Sequence, residues 1–284
     1  MSTSAAKVTS GGGLRWNFHT HSVWCDGRNT VSEMAKAAFE AGLEAFGFSG
    51  HGYCGFAEGY CMSRDAEVSY LKEIAAEKTR YQGQMHIYAG IELEGQDTRK
   101  FDRSLYDYCI NSVHYIQANG KWFAVDESAQ ALQRCIDEGF AGDPYAMAEE
   151  FFRISAQTAC QRKPDMIGHF DLLTKFNAQN CFFDENDLRY LSVAIEALRE
   201  ANKSGGIFEI NSGAISRGIK GRIYPSQLLL EELHKIGGRV VISTDTHSIE
   251  SINFGFDAMK ERLLAAGFRE TMCLTDQGWQ ERPL

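Results

Sequence analysis

Short apolar runs alternate along the chain with longer amphipathic stretches, and this alternation predicts the fold. Seven runs rich in branched and aromatic residues have the length of buried strands, and an eighth lies near the end. The predicted strands span residues 14–19, 45–49, 85–92, 108–114, 165–169, 206–211, 239–243 and 271–274. Strands that alternate with helices form a parallel sheet, and seven or eight such units in one domain favour an α/β barrel over an open sheet.

The amphipathic stretches begin with helix-capping residues. Thr30-Val31-Ser32-Glu33 is a capping box, whose first and last side chains satisfy each other's backbone N–H groups, and it predicts a helix to about Ala41. Other polar caps predict four further helices. These run from Asp65 through Tyr81, from Asp143 through Cys160, from Asp184 or Glu185 through Lys203, and from Ser226 to near Gly237.

The segment 115–142 is longer than an ordinary barrel loop. It is rich in aromatic and acidic residues and contains a predicted short helix around 128–137. Long insertions after a strand carry function more often than short connections do. We therefore expect this segment to form part of the rim of the barrel or a lid over it.

Most of the histidines fall where a predicted strand ends. Six of the eight follow or end a strand, and three carboxylates occupy similar positions. Together they are His19, His21, Asp26, His51, Glu92, His114, His169, Asp245 and His247. The carboxyl ends of barrel strands converge on one mouth, so we expect these side chains to meet there. Spacing alone does not separate Glu92 from Glu94, which lies two residues later.

Imidazoles and carboxylates in one cluster are typical of a transition-metal site. Six protonated histidines would repel one another, and six neutral ones would gain little from proximity. The ligands exceed the roughly four to six that one ion takes, and they suffice for two or three divalent ions if one carboxylate bridges. Imidazole ligation suits Zn, Fe or Mn. Three such ions, three carboxylates and one hydroxide leave about +2, which complements a phosphate monoester.

Composition limits the class of protein. With 284 residues, 44% of them hydrophobic, the chain suits one domain, which we place at residues 14–284. Residues 1–13, rich in Ser, Ala and Gly, predict a flexible tail and lack the apolar core of a secretory signal. The net charge of −9 disfavours nucleic acid as a partner. No apolar run approaches the ~20 residues of a membrane span.

The spacing of the cysteines indicates the cellular compartment of the protein. Eight of them are spread along the chain without a C-x-x-C pair, which favours reduced thiols in a cytoplasmic protein. The sequence leaves the oligomeric state open.

The motifs around the candidate ligands resemble those of the PHP (polymerase and histidinol phosphatase) superfamily. They are His19-x-His21, Gly50-His51, Gly90-Ile91-Glu92, Ser112-Val113-His114, Gly168-His169-Phe170-Asp171 and Asp245-Thr246-His247. Other stretches are similar to its monofunctional histidinol-phosphatase branch, namely Val125-Asp126-Glu127-Ser128, the segment 167–176, and Glu209-Ile210-Asn211-Ser212-Gly213 leading through Arg217 to Tyr224-Pro225-Ser226. The resemblance extends from Leu14 to about Phe268.

This resemblance implies a distorted (β/α)7 barrel with three divalent metal ions. It assigns the first ion to His19, His21, Glu92 and Asp245. The second is assigned to Glu92, His114 and His169, and the third to Asp26, His51 and His247. In this scheme Glu92, rather than Glu94, is the bridging ligand. Many members have His where this chain has Asp26.

The implied reaction is hydrolysis of a phosphate monoester by a hydroxide that bridges two metals. In the histidinol-phosphatase branch, histidinol phosphate and water give histidinol and phosphate in L-histidine biosynthesis. The predicted catalytic residues are Glu92, Asp245 and Arg217. Arg217 and Lys175 are predicted to bind the phosphate. The alternative for Arg217 is that it is a solvated arginine of the loop and does not bind phosphate. The insertion residues that could receive the cationic end of this substrate are Tyr115, Trp122, Phe123, Asp126 and Glu127.

Several alternatives remain open from the sequence. A superfamily member that acts on nucleotides or phosphodiesters would share every predicted ligand, although the chain has no basic stripe for a polyanion. An amidohydrolase also begins with His-x-His but places its bridging residue after the fourth strand, and a non-catalytic barrel would have lost ligands. The proton donor to the leaving group is either a metal-bound water or an acid such as Asp245.

Overall fold

Parallel strands form the centre of the computed structural model, which describes residues 14–57, 59–219 and 222–284. The predicted tail at residues 1–13 lies outside this part. The strands are β1 (Trp16–Asn17), β2 (Ala45–Phe48), β3 (His86–Glu94), β4 (Tyr108–Ser112), β5 (Tyr115–Ala118), β6 (Lys121–Ala124), β7 (Met166–Ile167), β8 (Ile207–Asn211), β9 (Val240–Ser243), β10 (Glu270–Thr275) and β11 (Gly278–Pro283).

Seven of these strands build the predicted barrel. They lie in the order β1-β2-β3-β4-β7-β8-β9, each parallel to the next. A parallel bridge between Thr20 and Thr246 joins the chain just after β1 to the chain just after β9. The seam therefore closes at the carboxyl end of the strands, and the fold is a distorted (β/α)7 barrel.

Helices fill most of the connections between barrel strands. They are α1 (Val31–Glu40), α2 (Arg64–Arg80), α3 (Ala129–Arg134), α4 (Pro144–Arg162), α5 (Leu188–Asn202), α6 (Gly213–Ser216), α7 (Gln227–Lys235) and α8 (Phe256–Ala266). The connection from β3 to β4 contains a 3₁₀ turn at Arg103–Leu105 in place of an α-helix, which is one source of the distortion. Within the described ranges, each helix is too short or too polar to cross a bilayer.

Tyr108 of β4 is a large side chain among those that the barrel strands contribute to the interior cluster. Tyr108 is fully buried, and its hydroxyl donates to the carbonyl oxygens of Phe18 (2.6 Å) and Phe48 (3.0 Å). A Cβ on Gly47 or Gly90 would lie 2.4 Å or 2.2 Å from this side chain, so both positions require glycine. Tyr108 thereby ties together the ends of the strands that lead to the histidines.

A C-terminal hairpin closes the opposite end of the barrel. Strands β10 and β11 pair antiparallel with each other, outside the barrel sheet. Met272 and Leu274 pack into a cluster of residues from the amino ends of the barrel strands, and the Trp279 ring lies edge-on to Phe18 at 5.3 Å. The predicted strand at 271–274 exists, but it belongs to this hairpin and is not an eighth barrel strand.

The helix starts are partly as predicted. The capping box of Thr30 and Glu33 forms, and α4 and α7 begin directly after Asp143 and Ser226. The predicted cap Asp65 is wrong, because Ser63 accepts the Ala66 N–H and caps α2. The start at Asp184 or Glu185 is also wrong. Asp184 accepts the N–H of Asn186 in a preceding turn, and α5 begins after Asp187.

Two predicted strands are much shorter than expected. The runs at 14–19 and 165–169 reduce to Trp16–Asn17 and Met166–Ile167. His19 and His169 lie beyond the regular ladder, and both form hydrogen bonds with Glu209 instead.

Candidate metal centre

The nine predicted ligands lie together at the carboxyl ends of the barrel strands. They fall into four overlapping groups whose ligand atoms lie within 4.8 Å of one another. The groups are His21, Asp26, His51 and His247; His19, His21 and Asp245; His19, Glu92 and His169; and His51, Glu92 and His114. The structure thus brings together side chains from residues 19 to 247, as expected for residues at the carboxyl ends of barrel strands.

Glu92 occupies the centre of this arrangement and is 1% exposed. Each of its two oxygens faces a different set of imidazoles. Oε2 lies 3.0 Å from His51 Nδ1, 3.1 Å from His19 Nε2 and 3.5 Å from His21 Nε2. Oε1 lies 3.1 Å from His169 Nε2 and 3.6 Å from His114 Nε2. A carboxylate in this position can bridge two ions.

Asp245 and Asp26 complete the side of the cluster nearest His247. Asp245 Oδ1 lies 3.2 Å from His21 Nε2, and Asp26 Oδ2 lies 3.2 Å from His247 Nε2. Asp245 has a φ of +48°, in the left-handed region that few residues other than glycine adopt. Because such conformations persist where surrounding contacts fix them, the strain at Asp245 marks a constrained position.

The donor set fits divalent metal ions. Among the residues that the structure describes, His19 Nε2, His21 Nε2 and Glu92 Oε2 are buried and form no hydrogen bond, although they face one another. Buried polar atoms without partners are costly, and a cation at their common focus would satisfy all three. Two ligand atoms about 2.1 Å from a tetrahedral ion lie roughly 3.4 Å apart. The observed separations of 3.1 and 3.5 Å around Glu92 Oε2 bracket that spacing.

The charges of the acids favour ligation as well. Burial alone would raise the pKa of Glu92, but the His19 and His51 imidazoles hold it well below its usual range. Burial opposes ionisation of Asp245 too, yet the Arg217 guanidinium and His19 hold its pKa well below normal. Asp245 is therefore a carboxylate, which disfavours the acid role that the sequence left open for it.

His21 behaves differently from its neighbours. Burial, and then the nearby His247 and His51, lower the pKa of His21 to about 3. The imidazole is neutral at ordinary pH, which is the form that binds a metal.

Two buried carboxylates with no predicted role hold histidines of the cluster from outside. Glu209 lies 2.6 Å from His19 Nδ1, and Glu94 lies 3.1 Å from His114 Nδ1. Position distinguishes Glu92 from Glu94 as the candidate ligand, because Glu92 lies inside the cluster whereas Glu94 lies behind His114. Apart from its place in the stretch from Glu209 to Gly213 that carries the family resemblance, the signal for Glu209 is an acid within the apolar run 207–210, an arrangement that is rare unless the charge is paired.

Arg217 lies in the wall of the site and touches two of the predicted ligands. Its Nη2 is 3.1 Å from Asp245 Oδ2, and its Nη1 is 3.0 Å from His247 Nδ1. A Cβ on Gly213 would lie 2.7 Å from Asp245 Oδ2 and 3.0 Å from Arg217 Nη2, so glycine permits this close approach. Arg217 is still 33% exposed, but these contacts hold its guanidinium against the predicted ligands rather than free in solvent.

A cavity of about 530 Å³ opens over these residues. Arg217, His247 and Asp245 line this cavity together with Lys175 and the insertion residues Tyr115, Asp126 and Glu127. Lys175 donates to Asp126 at its carbonyl oxygen (2.7 Å) and at Oδ2 (3.0 Å). The insertion thus forms part of the rim. Trp122 stacks on Phe56 at 3.7 Å instead, and Phe123 is buried in the core.

Sequence comparison places the chain among known proteins. The PHP domain profile matches residues 17–213. The chain belongs to the PHP domain family. This confirms the resemblance drawn from the His, Glu and Asp motifs, and the barrel is the fold which that resemblance implies.

Individual relatives are more distant. The chain is 26% identical over 219 residues to the "Probable histidinol-phosphatase" of Schizosaccharomyces pombe, covering 74% of this chain and 69% of that protein. It is 23% identical over 266 residues to the histidinol-phosphatase of Bacillus subtilis, covering 86% of this chain and 97% of the relative.

Solved structures show the same fold. A candidate histidinol phosphatase from Listeria monocytogenes superposes with a TM-score of 0.76 at 19% identity, over 86% of this chain and 99% of the other. The histidinol phosphate phosphatase of Lactococcus lactis, solved with zinc, L-histidinol and phosphate, superposes with a TM-score of 0.66 at 18% identity, over 94% and 98% of the two chains.

Proposed function

We propose that this protein is a metal-dependent phosphate monoester hydrolase whose substrate is histidinol phosphate. The products are histidinol and phosphate, a step of L-histidine biosynthesis. The observation that carries the proposal is the position of Glu92, enclosed by five imidazoles and next to a cavity that contains an arginine. The histidinol-phosphatases among the relatives support the choice of substrate.

The metal assignment follows the family resemblance, and the proximity of the nine side chains supports it. We assign one ion to His19, His21, Glu92 and Asp245, a second to Glu92, His114 and His169, and a third to Asp26, His51 and His247. When bound, such ions lower the pKa of coordinated water and neutralise charge on the phosphoryl oxygens. Zn, Fe and Mn all suit mostly imidazole ligation, and zinc is the metal named in the Lactococcus lactis structure.

The protein's own groups then position the substrate. Arg217 offers a planar guanidinium beside the predicted ligands, and such a group binds phosphoryl oxygens in a fork. Lys175 is the second candidate for the phosphate, although its ammonium is already engaged by Asp126 at 3.0 Å. Glu92 and Asp245, both ionised, contribute by holding metal rather than by moving a proton.

The acids of the cavity suit the rest of histidinol phosphate. The substrate carries an amine and an imidazole, and Asp126 and Glu127 line the same cavity as Arg217. The dianionic end and the cationic end would then each meet groups of opposite charge, which favours one orientation of the bound ester.

The cysteines support a cytoplasmic location, which we also propose. All eight cysteines lie in the described part of the chain and are free thiols, as expected in a reducing compartment. The small cavity and the net charge of −9 favour a small-molecule partner over nucleic acid.

The substrate proposal is tested by comparing turnover of four esters on metal-loaded protein. Histidinol phosphate should have a kcat/KM at least roughly 100-fold above p-nitrophenyl phosphate, a nucleoside monophosphate and bis-p-nitrophenyl phosphate, since only its leaving group carries a cationic amine for Asp126 and Glu127 to receive. Equal values would contradict the substrate, and a preference for the diester would favour the phosphodiesterase alternative. Glu92→Gln should lose all phosphatase activity, which controls for a contaminating phosphatase.

A further inference from the structure

We propose that Glu209 is a positioning residue of the metal centre. Its carboxylate fixes His19 and His169 so that the Nε2 atoms of both rings face Glu92. The inference rests on the metal-dependent function proposed above, and it concerns a residue outside the predicted ligand set.

Glu209 lies in the middle of β8 and is completely buried. Four groups from three other parts of the barrel and from β8 itself approach its two oxygens. Oε1 lies 2.6 Å from His19 Nδ1 and 2.5 Å from Ser243 Oγ, and Oε2 lies 2.9 Å from the His169 backbone N and 2.9 Å from Asn211 Nδ2. A carboxylate has about four acceptor sites, so this one is fully occupied.

The contact with His19 selects one form of the ring. In the neutral form that binds a metal, the imidazole carries one proton, and a carboxylate 2.6 Å from Nδ1 holds that proton on Nδ1. The lone pair is then on Nε2, which lies 3.1 Å from Glu92 Oε2 and 3.7 Å from Asp245 Oδ1. Glu209 therefore directs the free lone pair of His19 toward the other ligands, as second carboxylates do for metal-binding histidines.

The same carboxylate reaches a second ligand by a different route. It accepts the backbone N–H of His169, and this anchors the chain where the ring leaves β7. His169 Nε2 then lies 3.1 Å from Glu92 Oε1, on the other side of the bridging residue. One buried charge thus supports ligands assigned to two different ions.

The arrangement recurs elsewhere in the site. Glu94 Oε2 lies 3.0 Å from the backbone N of His114 and 3.1 Å from its Nδ1, while His114 Nε2 faces Glu92 at 3.6 Å. Two separate carboxylates therefore hold histidines by Nδ1 and leave Nε2 facing inward. A carboxylate that only linked strands would not need a contact with Nδ1 of a histidine. The presence of this contact at both His19 and His114 therefore favours a role in metal binding.

Glu209→Gln tests the role with little change of shape. The amide keeps one acceptor oxygen, and its NH₂ group faces two of the four donors, so His19 and His169 cannot both remain anchored. Glu185→Gln is the matched control. Glu185 accepts from Asn177 Nδ2 at 2.9 Å and pairs with Arg222 at 2.7 Å, and it has no contact with a predicted metal ligand.

The measurement is a Zn²⁺ competition titration of the metal-stripped proteins, with circular dichroism to verify folding. Glu209→Gln should weaken the tightest zinc site about 10- to 100-fold, whereas Glu185→Gln should bind zinc as the unaltered protein does. Equal zinc affinities in folded Glu209→Gln and unaltered protein would overturn the inference alone. Failure of the unaltered protein to bind zinc would overturn the metal proposal as well.

A second measurement does not depend on whether the variant folds. In zinc-loaded protein labelled with ¹⁵N-histidine, NMR should show His19 protonated at Nδ1 and metal-bound at Nε2. Metal bound at Nδ1 of His19 would overturn the inference, because Glu209 would then not select the ligating nitrogen.

Discussion

At the scale of single residues, the site depends on how far along a strand each acid lies. Glu92 and Glu94 are two positions apart and therefore point to the same side of β3. Glu92 pairs with His51 in a parallel bridge, which sets it level with the neighbouring histidines, while Glu94 lies further along and reaches His114 from behind. One step of two residues thus separates a bridging position from a supporting one.

Arg217→Ala should raise KM for every phosphate ester. Loss of a hydrogen bond to a charged group costs about 1.5–3 kcal/mol, which corresponds to a KM increase of roughly 10- to 150-fold. The increase should be similar for histidinol phosphate and p-nitrophenyl phosphate, since both carry the same phosphoryl group. A fall in kcat should accompany it, because Asp245 and His247 lose a partner.

Steady-state kinetics with both esters measures this effect. Arg222→Ala is the matched control, since Arg222 pairs with Glu185 away from the cavity lining and its loss should leave both KM values unchanged. An unaltered KM in Arg217→Ala would show that this guanidinium does not bind the phosphate.

Position along a strand is enough to predict from sequence which side chains meet at the mouth of the barrel. All nine predicted ligands come together because strand ends converge, whatever the details of register. Glu209 could not be recognised in this way, because its partners His19, His169 and Ser243 lie on other strands. Only the folded order of β1, β7, β8 and β9 brings them to one carboxylate.

At the scale of elements, closure of the barrel explains why the predicted strand at 271–274 lies outside the barrel sheet. The bridge between Thr20 and Thr246 joins the two ends of the seven-stranded sheet at the carboxyl ends of the strands, and β10 is not inserted between β9 and β1. The hairpin of β10 and β11 covers the amino ends of the strands with apolar side chains instead. Apolar periodicity identifies such a strand but not its partner.

The insertion after β4 contains a hairpin of β5 and β6 in addition to the short helix that the sequence predicts. Asn119 and Gly120 connect the two strands with φ values of +50° and +74°. Asn-Gly is the residue pair preferred in a two-residue hairpin turn, since both positions need positive φ.

Trp279→Ala should destabilise the fold without altering substrate binding. The ring packs edge-on to Phe18 and Tyr108, and loss of a large core aromatic costs about 3–5 kcal/mol when it is fully buried. Trp279 is only partly buried, so we expect about 2 kcal/mol. KM should not change, because the hairpin lies at the end of the barrel opposite the ligands.

Urea unfolding at a fixed metal concentration checks this expectation. Glu281→Ala on the same strand removes an exposed side chain and should change stability by less than about 0.5 kcal/mol. An unchanged unfolding midpoint for Trp279→Ala would mean that the hairpin does not contribute to closing the barrel.

At the scale of the whole molecule, the distribution of charge matters more than its sum. The chain has a net charge of −9, yet the cavity contains Arg217 and a cluster suited to several divalent cations. Bound metal would make this one region strongly positive on an otherwise acidic protein. Such a field attracts a small dianion into the cavity, while the surrounding surface disfavours a long polyanion.

The most direct test of the account is a metal titration of turnover. The protein is stripped of metal, Zn²⁺ is added in stoichiometric steps, and phosphate release from histidinol phosphate is measured alongside bound zinc per chain. We predict negligible turnover without metal and a rate that rises until between two and three ions are bound. Full activity in metal-free protein, or a maximal rate with less than one ion per chain, would contradict it.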